Sequence, residues 1–155
     1  MRMAIEVLSL LVVGWIAGAE LGSWCCVQPV VARLPYEHYV ASEQSMLRTF
    51  GRIMPVLMPL SAVLTIVLVV VSLDEGTAVV WLRVAATLCI AAAVVTTLIV
   101  NVPINTRTKN WPSTADASEW RHMRERWHRY QGVRGWLFAS AFVLLTVSLV
   151  IRGQR

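Results

Sequence analysis

The sequence predicts an all-α fold: an integral membrane four-helix bundle with an amphipathic helix in the connection between spans 3 and 4. Three observations predict it. The 155 residues are 57% hydrophobic and only 15% charged, against roughly 45–50% and 25% in soluble domains. Four stretches are long and apolar enough to cross about 30 Å of hydrocarbon, which takes roughly 20 residues. No linker rich in Gly, Ser or Pro and no internal repeat divides residues 1–155, so one four-span domain is the economical arrangement.

Span 1 covers about 4–30 and is interrupted only by Glu6, Glu20 and Gln28. A signal-peptide reading rests on Arg2 and the small residues Ala17, Gly18 and Ala19, but apolar sequence continues beyond them. Glu6 and Glu20 are 14 residues apart, close to four helical turns, and so share a stripe with Leu10, Val13, Ala17 and Trp24. Glu6 suits a structural ion pair with Arg83, near the start of span 3. Glu20 lies deeper, where a carboxylate needs a partner, water or a task. Gly14, Gly18 and Gly22, at four-residue spacing, form a seam for close helix approach, either inside the bundle or in a homo-oligomer.

Span 2 covers about 53–73 and holds no charge. In the connection before it, Ser42 and Glu43 are placed to open a helix that continues into the span, with Pro55 and Pro59 in the first apolar turns. That connection either folds over the bundle mouth or is a solvated linker. Span 3, about 77–102, ends in Asn101-Val102-Pro103-Ile104-Asn105, and Pro103 should kink or stop the helix. The two asparagines either satisfy freed carbonyls at a helix end or bind something.

The surface helix, about 113–131, is signalled by Ser113 and Asp116 as a capping box and by an apolar stripe of Trp120, Met123, Trp127 and Tyr130, and it should lie at the membrane surface or dock over the bundle mouth. It leads into span 4, about 133–151.

The net charge of +5 comes largely from arginines in the connections between spans 1 and 2 and between spans 3 and 4. That bias puts these connections in the cytoplasm and both termini outside, as in a bacterial cytoplasmic membrane, with membrane lipid as the partner of the basic residues. Nucleic acid is not needed to explain the charge. Cys25, Cys26 and Cys89 make no disulfide framework, and His38, His122 and His128 have no metal-ligand spacing, so no metal is assigned.

Antiparallel threading gathers Glu20, the loop from His38 to Gln44, Pro55, Asn101, Asn105, Trp111, His128 and Arg134 at one end of the bundle. A few polar groups among apolar and aromatic walls are the usual composition of a small-molecule site. A non-catalytic membrane module that assembles with or stabilises a partner protein is the alternative, and it expects mutually satisfied polar groups and no cavity. A transporter is the poorest fit, since no broken helix pair repeats between halves.

Several of these residues form a pattern. Ala17-Gly18 and Pro29, Glu43-Gln44 followed by Pro55, the NVPIN stretch, and Trp120, Arg124, Arg126, Trp127 and Arg134 resemble the anthrone oxygenase-like family of small four-helix membrane proteins. A histidine frequent in that family, four residues after the tryptophan, is Gln131 here, with His128 nearby. The resemblance implies a membrane-embedded monooxygenase that tailors a lipophilic aromatic or polyketide-derived natural product. It takes dioxygen as co-substrate and needs no cofactor where the substrate enolate supplies the electron. On that reading Glu20 or His128 removes a proton, and Asn101, Asn105 and Arg134 donate to the enolate oxygen. Trp111 and Trp127 stack on the rings, and Gln44, His38 and Tyr130 line the substrate site.

Overall fold

A computed structural model describes residues 2–112 and 115–154. Four helices are long and apolar enough to cross a membrane: α1 Arg2–Val31, α2 Tyr36–Val70, α3 Thr77–Lys109 and α4 Ala117–Gly153. Each packs on its neighbours in cyclic order, α1 on α2, α2 on α3, α3 on α4 and α4 on α1. The central layer is apolar and fully buried, with Val13 and Ile16 from α1, Leu68 from α2, Ile90 from α3 and Phe138 from α4 among its members.

The two arginine-rich connections turn out to be mostly helix. Helix α2 begins at Tyr36, with Pro35 as the residue before it and Glu37 in its first turn, not at Ser42. At 35 residues it is about 50 Å long, well beyond a bilayer core. Likewise the surface helix and span 4 are one helix of 37 residues. Its cap is Asp116, which accepts from the Ser118 amide at 2.8 Å and the Ser118 hydroxyl at 2.6 Å. Those bonds hold the Asp116 carboxyl below the usual carboxylate range. Ser113, expected to cap the helix, lies outside the described residues. The apolar stripe of Trp120, Met123 and Trp127 does not lie on a lipid surface; it packs on Val40 of α2, on Val100 and Ile104 of α3, and on Trp111.

Pro103 does not stop α3. Thr97–Asn101 form a π turn in which the Val102 amide donates to the Thr97 carbonyl, five residues back, and the helix continues to Lys109. A proline ring collides with the carbonyl four residues before it, and an extra residue in the preceding turn moves that carbonyl aside. Helix α1 repeats the device: a π turn over Ser23–Val27, closed by the Gln28 amide on the Ser23 carbonyl, precedes Pro29. Such turns concentrate at functional sites.

The glycine seam on α1 is only partly used. A Cβ at Gly14 would stand 2.8 Å from the Phe142 ring, whereas Gly18 and Gly22 face open space. Closer helix contact is made from α4, where a Cβ on Gly132 would stand 2.7 Å from the Trp24 indole. Gly132→Ala is therefore expected to destabilise the protein by about 1–3 kcal/mol through overpacking. Gly18→Ala should be neutral or stabilising by up to about 1 kcal/mol, as alanine is the better helix former. Thermal melts in one detergent compare the two, and equal shifts of the same sign would contradict the packing.

At the terminal end, the ion pair of Glu6 with Arg83 forms at 2.7 Å with both side chains buried. It belongs to a larger cluster. Arg83 also meets Glu75 at 3.0 Å, Arg152 meets Glu6 and Glu75, and Arg2 meets Asp74 at 2.8 Å. This cluster ties both ends of the chain to the turn between α2 and α3.

Candidate functional site

At the opposite end the four helices surround a cavity of about 270 Å³. Each wall contributes for a reason traceable to its helix. Helix α1 supplies Glu20 and Ser23, one turn apart, and then Gln28, brought round by the π turn between them. Helix α2 supplies Glu43 from its extension and Met54, Pro55 and Met58 from its apolar part. Helix α3 supplies Thr97, which opens its π turn, and Asn105 beyond it, and α4 supplies Trp127, Gln131 and Arg134 at three- and four-residue spacing. The result is an apolar chamber with a few polar groups at one end, the make-up of a small-molecule site.

Glu20 is the centre of the polar end. Its Oε2 accepts from Arg134 Nε at 2.9 Å, Arg134 Nη2 at 2.7 Å and Gln131 Nε2 at 2.5 Å. The paired guanidinium compensates a carboxylate that is only 2% exposed. All three bonds converge on one oxygen, so Oε1 takes none of them. Arg134 is occupied in turn: Nη2 also donates to Gln131 Oε1, and Nη1 reaches Thr97 Oγ1 at 3.4 Å.

Asn105 presents the complementary group. Its Oδ1 accepts from Trp127 Nε1 at 2.8 Å. An indole nitrogen can only donate, so this bond fixes which way the amide points and leaves the Nδ2 donors outside it. Asn101, one turn earlier, is fully buried, and neither of its amide atoms has a hydrogen-bond partner among the described residues.

A second carboxylate, Glu43, is held by Arg124 at 2.5 Å, both 2% exposed. Arg124 lies against the Trp127 ring, 4.1 Å from its centre, a cation–π contact. Its far side borders a separate groove of about 520 Å³ lined by Tyr36, Tyr39, Arg121 and His128 among others. Glu43 Oε1 is buried without a hydrogen-bond partner among the described residues.

Residues 46–144, more than half of the chain, match the sequence model of the anthrone oxygenase family. The chain belongs to the anthrone oxygenase family. No curated relative and no solved structure gives a significant match. The matched segment runs from α2 into α4 and contains Asn105, Trp127, Gln131 and Arg134, whereas Glu20 and Glu43 lie before it. Family membership supports an oxygenase-like function.

Of the residues singled out from the sequence of this anthrone oxygenase family member, Glu20, Asn105, Trp127 and Arg134 line the cavity. The others lie elsewhere. His128 is on the far side of α4, stacked on Trp24 with ring centres 5.8 Å apart. His38 is exposed. Trp111 donates from Nε1 to the Tyr36 hydroxyl at 3.0 Å, which donates to the Ala115 carbonyl at 2.8 Å. Gln44 donates to the Thr108 and Trp111 carbonyls at 3.2 and 3.1 Å, sealing the end of α3. Tyr130 packs half-buried against the tryptophan cluster.

Gln28, Glu43 and Gln131 line the cavity and were not among those candidates. For Gln131 the signal was present, because it stands one turn from Trp127 and three residues from Arg134, at the family's histidine position. Among the described residues no three His, Cys, Asp or Glu side chains are grouped to hold a metal ion.

Proposed function

We infer that this protein is a membrane-embedded oxygenase that converts a lipophilic fused-ring ketone of the anthrone type, polyketide-derived in origin, to its quinone with dioxygen. The observation supporting this reading is the pairing, in one apolar cavity, of a carboxylate with a free oxygen and an amide with a free donor. Such a pair suits proton removal from a carbon conjugated to a carbonyl across a ring. Glu20 Oε1 takes a proton from the ring methylene, and the C–H electron pair moves to the carbonyl oxygen, which accepts from Asn105 Nδ2. Arg134 and Gln131 act as positioning residues, fixing Glu20 in place through its Oε2.

The enolate then gives one electron to dioxygen, and the carbon radical and superoxide combine to a peroxide, which takes the proton back from Glu20. Removal of the second methylene hydrogen breaks the O–O bond, leaving the quinone carbonyl and one water. All the electrons come from the substrate. Stacking on Trp127 would hold the ring plane.

The alternative, a non-catalytic module, expects a packed interior with satisfied polar groups; the cavity and the unpartnered Asn101 amide count against it. The arginine balance supports a cytoplasmic-membrane topology with both termini outside, which protease access to tagged termini tests.

Purified protein in lipid nanodiscs, given anthrone and air, is expected to consume oxygen and form anthraquinone one to one. Asn105→Ala should lower kcat by about 10²-fold or more, the usual effect of losing one oxyanion donor. No rate above uncatalysed autoxidation, over a panel of fused-ring ketones, would sink the reading.

A further inference from the structure

The cavity is closed differently at its two ends. Towards the groove between α1 and α4, the Glu43–Arg124 pair blocks the way: Gln28 borders both spaces, Glu43 lines the cavity, Arg124 lines the groove, and the pair's two side chains are 2% exposed. On the opposite side several wall residues are also exposed on the outside of the bundle. Phe50 is 39% exposed, Leu98 61% and Val102 43%, and Gly51, Pro55 and Pro59 are exposed beside them. All belong to α2 or α3. Residues that border an internal cavity and the outer surface at once mark a mouth.

The backbone gives a cause for the mouth. Pro55 and Pro59 each delete a helical hydrogen bond from α2, and the π turn Thr97–Asn101 widens α3 beside the cavity. Regular ridges and grooves cannot interlock along a seam irregular on both sides. The mouth also sits where the apolar runs begin and end, near Ile53 and Val102, so acyl chains border it.

Granting the cavity as the substrate site, the structure assigns a lateral entrance between α2 and α3, through which a fused-ring substrate passes from the bilayer, with Phe50 and Leu98 deciding what passes. The substrate class narrows accordingly. The mouth's Phe, Leu, Val and Pro walls are apolar, with Lys109 standing at its Gly51 edge, so the group that crosses them keeps no hydration and a neutral one loses least. Neutral ring systems bearing phenols or ketones suit these walls.

The test follows binding, not turnover. Full-length protein in lipid nanodiscs is mixed with 2-hydroxyanthracene, and energy transfer from tryptophan to the probe is followed by stopped flow. Gly51→Phe and Leu98→Phe narrow the mouth. A Cβ at Gly51 meets only the end of Lys109, at 3.8 Å, so the fold accepts the change. Association and dissociation should each slow by roughly tenfold while Kd changes by less than about twofold, the signature of a gate.

Arg121→Phe in the groove and Val63→Phe elsewhere on α2 should leave both rates unchanged. Slower association in Arg121→Phe, unaltered rates in both mouth variants, or no binding to the unmodified protein would overturn the entrance. If the mouth variants slow the probe but the unmodified protein oxidises no anthrone, the entrance stands and the oxygenase reading falls.

Discussion

Glu20→Gln is expected to abolish quinone formation, with kcat falling roughly 10²- to 10⁴-fold, the range for loss of a general base. The amide can keep the hydrogen bond to Gln131 but cannot accept the substrate proton. One complication follows from the geometry. Arg134 loses the one carboxylate it pairs with among the described residues, and breaking a buried pair from one side costs about 3–5 kcal/mol. Lost activity alone would therefore not separate chemistry from folding.

The double variant Glu20→Gln/Arg134→Gln separates them. It removes both charges, so the thermal midpoint should recover most of what the single variant loses, while activity stays absent. If the double variant oxidises anthrone at the rate of the unmodified protein, Glu20 is not the base. Glu43 is the other carboxylate in the cavity, but its remaining oxygen is buried beside Arg124, so Glu43→Gln should leave the methylene proton transfer intact.

What was legible in the sequence followed from threading and period. Four apolar runs fix which residues share an end of the bundle, so Glu6 with Arg83, and Glu20 with Arg134, could be set at opposite ends before any contact was known. The 3.6-residue period put Glu20 on the buried stripe of α1. It also grouped Trp120, Met123 and Trp127, though it could not say whether that stripe met lipid or protein.

What was not legible depends on rotation of one helix against another. Pro103 alone predicts a kink or a stop and does not choose between them; the inserted residue of the π turn lets α3 continue through it, with Asn105 lining the cavity. Trp111 resembles a stacking platform in sequence, yet its indole is spent on Tyr36, a partner 75 residues away. Glu43 and Arg124 have no local signal for each other, because the turn of α2 that carries Glu43 read as a connection. Gln28 reaches the cavity only because the α1 π turn shifts its face.

Arg83→Leu should cause the largest loss of stability of any substitution away from the cavity, about 3–5 kcal/mol, as it strands two carboxylates at once. Glu6 and Glu75 both pair with this fully buried guanidinium, at 2.7 and 3.0 Å. Arg152 also reaches both of them, but its side chain is 36% exposed and solvent screening weakens what it can replace. Arg83→Lys should recover only part of the loss, since an ammonium cannot span two carboxylates and the Ser148 hydroxyl with a planar fork. Arg83→Leu/Glu6→Leu should recover more, because exchanging a buried pair for apolar side chains is often neutral. Glu6 and Glu20 are 14 residues apart on one helix, about 21 Å, so activity per folded molecule should stay near that of the unmodified protein in all three variants. Reversible unfolding in mixed micelles measures the stabilities. A loss below about 1 kcal/mol for Arg83→Leu, the level of an exposed pair, would mean that the terminal cluster is solvated and does not staple the bundle.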